Sequence, residues 1–148
     1  MAVALLDVNV LVALFDPDHV HHDAAHDWFE QHGCAAWATC PITETGFVRV
    51  LSNPRYGGAA VRAVDLAKRL SRFCRQAGHT FWAADLSLLD TSRFGLSRAR
   101  GHQQLTDVYL LGLAVSKGGC LATFDRSIPV RAVAGAGPAA LQVIGLAE

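Results

Sequence analysis

Residues 3–15 read VALLDVNVLVALF, apolar at every position but Asp7 and Asn9. An unpaired carboxylate inside a core costs several kcal/mol or gives up its charge, so a chain that opens this way must fold so that something compensates Asp7. The apolar run of residues 3–6 is continuous rather than alternating, as in a parallel strand covered on both faces. Asp7 then stands at the carboxyl end of that strand. In an open parallel sheet, that end borders the crevice in which ligands bind.

The rest of the chain alternates between helical and strand-like segments. Residues 19–32 put Val20, Ala24, Ala25, Trp28 and Phe29 on one helical side and His22, Asp23, His26 and Asp27 on the other, with Gly33 as the stop. Residues 35–39 predict a short strand. Pro41 opens a helix through Glu44, Phe47, Val48 and Leu51 that Asn53-Pro54 ends. Residues 58–77 have helical period: Ala63, Leu66, Leu70, Phe73 and Cys74 face one way, Arg62, Lys68, Arg69, Arg72 and Arg75 the other. Residues 80–83 predict a third strand and 87–104 a short helix with a loop. LTDVYLLGLAVSKGG, residues 105–119, is a helix apolar nearly all round and so expected to be buried. Residues 120–123 form a buried strand leading to Asp125, 135–138 a turn and 141–144 a last strand. This is the pattern of an α/β fold with a mainly parallel sheet, and 148 residues suit one domain over residues 1–148.

Although 51% of the residues are apolar, no uninterrupted run approaches the roughly 20 needed to cross a bilayer. No Lys or Arg precedes the apolar opening and no small-residue cleavage signature follows it, so neither a secretory signal nor a membrane partner is expected and the cytoplasm is the default. Cys34, Cys40, Cys74 and Cys120 make no C-x-x-C pair and read as reduced, core-filling residues. The formal net charge is zero but unevenly spread: residues 1–48 hold seven acids and no Lys or Arg, and residues 49–75 hold seven bases against Asp65 alone. That asymmetry suits a polyanion held beside an acidic, cation-binding centre.

Four acids have the surroundings for such a centre. Asp7 ends the first strand, Glu44 follows the second in PITETGFVRVL, Asp107 opens the buried helix and Asp125 follows the strand CLAT. Singly, each has an ordinary explanation: Asp107 a helix cap, Asp125 a turn residue or a partner of Arg126, Glu44 a solvated first-turn acid. Together they conflict, because two carboxylates about 4 Å apart repel by roughly 4 kcal/mol at an effective dielectric of about 20. A divalent cation removes the conflict, and all-oxygen ligation selects Mg²⁺ or Mn²⁺ over zinc. Asn9 and the hydroxyls of Thr43, Thr106 and Thr123 are supporting groups able to orient ligands or hold water. A metal-bound water with a lowered pKa can attack a phosphodiester. His22 and His26, spaced i and i+4, lack a third ligand in register and read as a solvated face. Gly57-Gly58 and Gly118-Gly119 lack the spacing of a phosphate-cradling loop, and no Ser, His and Asp arrangement suggests acyl transfer. On the basic helix, Arg69, Arg72 and Arg75 are the candidates for contacting the phosphates of such a polyanion without base readout.

The ordered set LLDVNVLVALFD, PITETGFVRVLSNP, LTDVYLLGLA and LATFDRSI resembles the PIN-domain ribonucleases, and among them the VapC toxins of type II toxin–antitoxin modules. The resemblance covers the whole chain and carries the family's acidic quartet onto Asp7, Glu44, Asp107 and Asp125, with Asn9 and Thr123 at supporting positions. It implies a three-layer sandwich around a five-stranded, mainly parallel sheet, Mg²⁺-dependent endoribonuclease activity, a homodimer, and a small cognate antitoxin that occludes the site. Residues 87–104 receive no role from it. A haloacid-dehalogenase-like phosphatase would require D-x-D where this chain has Asp7-x-Asn9, and a receiver module a Lys after a late strand, where Lys117 precedes it. A catalytically silent module that binds Mg²⁺ and RNA is the alternative that residue patterns leave open.

Overall fold

The computed structural model of the protein describes residues 2–57 and 61–145. At its centre is the strand β1 (Ala4–Leu6), buried at all three positions. It pairs in parallel with β2 (Trp37–Thr39) on one side and β4 (Cys120–Thr123) on the other. With β3 (His79–Phe81) and β5 (Leu141–Val143) at the edges, the sheet has the order β3-β2-β1-β4-β5 and is parallel throughout. The chain leaves β1 toward β2 and returns later to its other side as β4. The carboxyl ends of β1 and β4 therefore flank the point where the winding reverses, which is where such sheets bind ligands.

Between the first two strands run α1 (Val8–Phe15) and α2 (His22–Gln31). After them come α3 (Pro41–Ser52), the single turn α4 (Pro54–Gly57) and α5 (Ala63–Phe73), with α6 (Leu105–Ser116) leading into β4. Strand alternation divides the core into two layers. Leu6, Trp37 and Ala122 pack with α1, α2, α3 and α5, whereas Leu5, Ala38 and Leu121 pack with α6. The expected layered α/β architecture is the one observed.

Several local expectations are corrected. The helix α1 follows Asp7 directly and buries Val10 through Leu14; an apolar octet has no polar face from which a 3.6-residue period could be read. The second helix begins at His22, and Val20 lies outside it, 87% exposed. His22 and His26 are not a solvated pair: His22 Nδ1 lies 2.7 Å from the Ala13 carbonyl and His26 Nε2 2.8 Å from that of Leu14. A carbonyl can only accept, so both nitrogens donate, and they satisfy groups that the end of α1 leaves without partners. Helix α5 covers Ala63–Phe73 rather than residues 58–77, of which 58–60 lie outside the described residues. Residues 87–104 contain no α-helix, only the 3₁₀ turns Leu96–Arg98 and His102–Gln104. Cys34 is exposed, whereas Cys40 and Cys120 fill the core. Among the described residues, no helix is long and apolar enough to cross a membrane.

Gly112, in the middle of α6, is where the 87–104 segment docks: the Phe94 ring occupies the space of its missing side chain. Phe94 is 3% exposed and stacks 5.9 Å from Tyr109, so it has little freedom to yield. Ala is the better helix former by about 1 kcal/mol, yet forcing a methyl group into a filled core costs about 1–3 kcal/mol. Gly112→Ala is therefore expected to lower stability in urea unfolding, and a midpoint at or above wild type would show that Phe94 moves aside freely.

Candidate active site

Where β1 and β4 end side by side, Asp7 joins a strand to a helix. Its N–H donates to the Ala122 carbonyl at 3.0 Å, extending the β1–β4 ladder, while its own carbonyl accepts from Val10 and Leu11 in the first turn of α1. Its side chain caps that helix, with Oδ1 accepting the Val8 N–H at 2.7 Å. The other oxygen, Oδ2, accepts the Thr123 hydroxyl at 2.8 Å. The Thr123 oxygen accepts in turn from Asn9 Nδ2 at 3.1 Å and from the Asp125 N–H at 3.1 Å. One donor and two acceptor sites complete the capacity of a hydroxyl. Asn9 also receives the Phe124 N–H on its Oδ1, at 3.3 Å. The segments around Asp7 and Asp125 are thus fastened by Thr123 and Asn9.

Burial leaves Asp7 only 4% exposed and pushes its carboxyl above the ordinary range; the bonds from Thr123 and Val8 oppose this, and the charge of Asp125 adds to it. Asp107 projects from the first turn of α6. Its carboxyl is pushed up to about 7, first by burial and then by the charges of Asp7 and Asp125. It does not cap its helix: Gln104 holds the cap position. Asp125 accepts the Ser127 N–H at 2.8 Å and the Ser127 hydroxyl at 2.6 Å on one oxygen, Oδ1. The turn role expected of Asp125 thus occupies one oxygen. The ion pairs among the described residues, Arg93–Asp90 and Lys117–Asp85, bring no base to Asp7, Asp107 or Asp125.

Glu44 stands apart from these three. Its Oε2 accepts the Thr39 hydroxyl at 2.7 Å, and its charge acts on Cys74 and His79. Thr39 Oγ1 lies 2.8 Å from His79 Nε2; since the hydroxyl proton points to Glu44, this nitrogen carries hydrogen and donates. Burial lowers the His79 pKa, against the pull of Glu44. Strand alternation explains the separation. Thr123 follows Leu121 to the α6 layer, and Thr39 follows Trp37 to the opposite one. Thr39 and His79 were not anticipated as partners of Glu44. The available signal was that WAT and LAT both end a strand in threonine, as in the Thr-x-Asp pattern at Asp125.

The supporting threonines divide. Thr123 lies in the crevice. Thr43 is fully buried and caps α3, accepting the Cys40 N–H at 3.0 Å and lying 3.2 Å from the Cys40 carbonyl; the structure does not bring it to the carboxylates. Thr106 is exposed one residue before Asp107. The basic helix divides as well. Arg72 and Arg75 line a groove of about 430 Å³ with Lys68, whereas Arg69 lines a separate cavity with Asp16 and Tyr56.

Among the described residues, no three His, Cys, Asp or Glu side chains are gathered closely enough to enclose an ion. Three aspartates whose charges push up the carboxyls of Asp7 and Asp107, with no base paired to them among the described residues, nevertheless have the chemistry of a hard-cation site. Mg²⁺ fits such a site because it keeps several waters and needs only one or two carboxylates besides substrate phosphates.

The PIN domain family model matches residues 4–134 of the chain. Ribonuclease VapC44 of Mycobacterium tuberculosis is 47% identical over 135 residues, covering 90% of this chain and 93% of the relative. Ribonuclease VapC39 of the same organism is 43% identical over 132 residues, covering 89% and 95%. Among solved structures, VapC20 of M. tuberculosis, described as a sarcin-ricin loop cleaving toxin, superposes with a TM-score of 0.64 at 13% identity, over 88% of this chain and 95% of that chain. At that identity the likeness concerns the fold alone.

A carboxyl whose pKa is higher in the folded than in the unfolded state stabilises the fold while protonated and loses that contribution as pH rises through its folded value. For Asp107 the window runs from about 4 to about 7, and Asp7 shifts in the same direction. The stability of Asp107→Asn relative to wild type, followed by urea unfolding in EDTA, is expected to rise across this window and level off above it. A difference independent of pH between 4 and 8 would contradict the assigned coupling.

Proposed function

The chain belongs to the PIN-domain family, among the VapC ribonucleases of toxin–antitoxin modules, and from that membership we propose that it cleaves RNA with Mg²⁺ or Mn²⁺ held by Asp7, Glu44, Asp107 and Asp125. The observation that carries this reading is the buried carboxylate of Asp7, coupled to Asp107 and Asp125 at the ends of β1 and β4 with no base to offset them. When bound, the cation supplies Lewis acidity to the phosphodiester and a water of lowered pKa as nucleophile.

The chain's own groups divide the remaining work. Asp107 offers both of its carboxylate oxygens and Asp125 its Oδ2, since no hydrogen bond among the described residues engages these atoms. Thr123 and Asn9 fix the direction of the Asp7 carboxylate and act on the cation through it. Glu44 completes the acidic set from the opposite layer, and its bond to Thr39 is the one observation that favours the alternative of a silent RNA-binding module. Arg72 and Arg75, with Lys68, offer a positive groove for the RNA strand, and Arg69 extends the basic surface around the same helix. A small antitoxin, placing an arginine among the carboxylates in the cation's stead, completes the assignment, together with a homodimeric assembly in the cytoplasm.

Cleavage of total RNA by the purified protein should require Mg²⁺ or Mn²⁺ and stop in excess EDTA. Asp7→Asn should remove it while leaving the fold intact, and Thr123→Val should reduce metal affinity or activity by about 10–100-fold. Wild-type rates in Asp7→Asn would dismiss the site; RNA binding without cleavage under every metal condition would establish the silent alternative. Growth arrest on expression should be relieved by the small open reading frame next to the gene, and failure of its product to bind or rescue would count against a toxin role.

A further inference from the structure

The segment to which no role had been transferred, residues 87–104, ends beside the acidic crevice and carries arginines. Arg98 and Arg100 from this segment and Arg131 from the loop after β4 line one open concavity of about 590 Å³, together with Pro129 and Val130. All three arginines are exposed, and neither ion pair found among the described residues involves them. Three like charges on one concave surface repel one another, which is the cost of holding them ready for an anion.

The surface is also built rather than incidental. The turn Leu96–Arg98 and the turn Val130–Ala132 are locked against each other: the Gly95 N–H donates to the Ala132 carbonyl at 2.8 Å and the Ala134 N–H to that of Arg93 at 2.8 Å, around an antiparallel bridge between Phe94 and Val133. Gln104 then ties this unit to the acids. Its Oε1 accepts the Arg100 N–H at 2.8 Å, and its Nε2 donates to the Ser127 carbonyl at 3.0 Å. Ser127 is the residue that holds Asp125, and Gln104 itself precedes the helix that carries Asp107. The backbone that carries the arginines is therefore held relative to two of the carboxylates by these hydrogen bonds.

We propose that Arg98, Arg100 and Arg131 form a phosphate-binding subsite that holds the RNA strand on the β4 side of the acidic crevice. The inference rests on the ribonuclease reading and specifies where its substrate runs. Pro129 is four residues from Asp125, hence at most about 14 Å away, the span of about four stacked nucleotides. The groove of Lys68, Arg72 and Arg75 lies on the other side: Ser71 and Ala67 line both that groove and the cavity containing Glu44. A strand drawn across the carboxylates would thus have positive charge on either side of the point of cleavage. Arginine suits the role because its planar fork grips phosphate oxygens in pairs, and exposed guanidiniums without base-sized pockets recognise the backbone rather than sequence.

The test uses the inactive Asp7→Asn protein and a 12-nucleotide RNA, with affinity measured from 50 to 200 mM salt. Replacing Arg98, Arg100 and Arg131 together by Ala should flatten the slope of log K against log salt by about 2, at about 0.7 per phosphate contact. This makes the variant about 20-fold less sensitive to salt over that range. Replacement of all three by Lys should retain most of the slope; melting temperature should match the Asp7→Asn parent in both, and Mg²⁺ affinity should match wild type when the same replacements are made with Asp7 retained. An RNA cut back to two nucleotides on the relevant side of the cleavage site should erase the difference between parent and Ala variant. An unchanged slope, with wild type still cleaving RNA, overturns the subsite and leaves the ribonuclease intact. Loss of antitoxin binding with the RNA slope unchanged also overturns it, in favour of a protein-binding role. If wild type neither cleaves nor binds RNA with Mg²⁺ present, the ribonuclease reading itself falls.

Discussion

Everything at the crevice depends on the Thr123 hydroxyl. Its hydrogen goes to Asp7, and its two lone pairs receive Asn9 and the Asp125 backbone. A hydroxyl with no spare capacity cannot take a ligand of its own without breaking one of these bonds. Its effect on chemistry therefore passes through Asp7, whose second oxygen it orients. The arrangement needs β1 and β4 as neighbours in the observed register, Leu6 opposite Ala122, so that the residue after one strand meets the last residue of the other. A shift of one residue would turn Thr123 toward the opposite layer. The buried sheet and the acid site are thus one construction.

That construction carries a conflict of charge. The apolar layers are filled and side chains cap the starts of α1 and α3, yet the charge of Asp125 pushes the Asp7 carboxyl up and the charges of Asp7 and Asp125 push up that of Asp107, with no base paired to them among the described residues. Acids gathered against their own repulsion in an otherwise apolar setting mark the place as functional. The conflict also explains the uneven charge along the chain. The bases kept out of residues 1–48 return as two separate positive surfaces, one on α5 and one on the loops beside β4, flanking the acids without neutralising them.

What was legible in the sequence follows from how local its cause is. The strands 4–6, 120–123 and 141–143 are short apolar runs between breakers, and α3 is marked by Pro41 at one end and Asn53-Pro54 at the other. The four acids could be picked out because a carboxylate in apolar surroundings is conspicuous without any knowledge of its partners. Helix α1 escaped because an apolar octet does not distinguish helix from strand. His22 and His26 were misjudged because their partners, the carbonyls of Ala13 and Leu14, are backbone groups that leave no mark in the sequence. The arginine surface was invisible for a related reason: it unites residues 98–100 with residue 131 through turns whose docking depends on Phe94 filling the space beside Gly112.

Glu44 shows how the same physics sets the fourth acid apart. Two threonines end strands on either side of β1, and each donates its hydroxyl to one carboxylate, Thr123 to Asp7 and Thr39 to Glu44. Alternation sends them to opposite layers, so the two acids are held by equivalent bonds that point apart. A hydrogen bond to a charged group contributes about 1.5–3 kcal/mol, whereas a further carboxylate about 4 Å from another would cost roughly 4 kcal/mol at an effective dielectric of about 20. Both magnitudes favour Glu44 on Thr39 while the cluster carries only its own negative charge. A divalent cation among the three aspartates offsets two of their three negative charges, which shrinks the larger quantity and leaves the smaller one as it was. The balance that keeps Glu44 with Thr39 is therefore electrostatic at root, and it is set by the charge that the crevice holds.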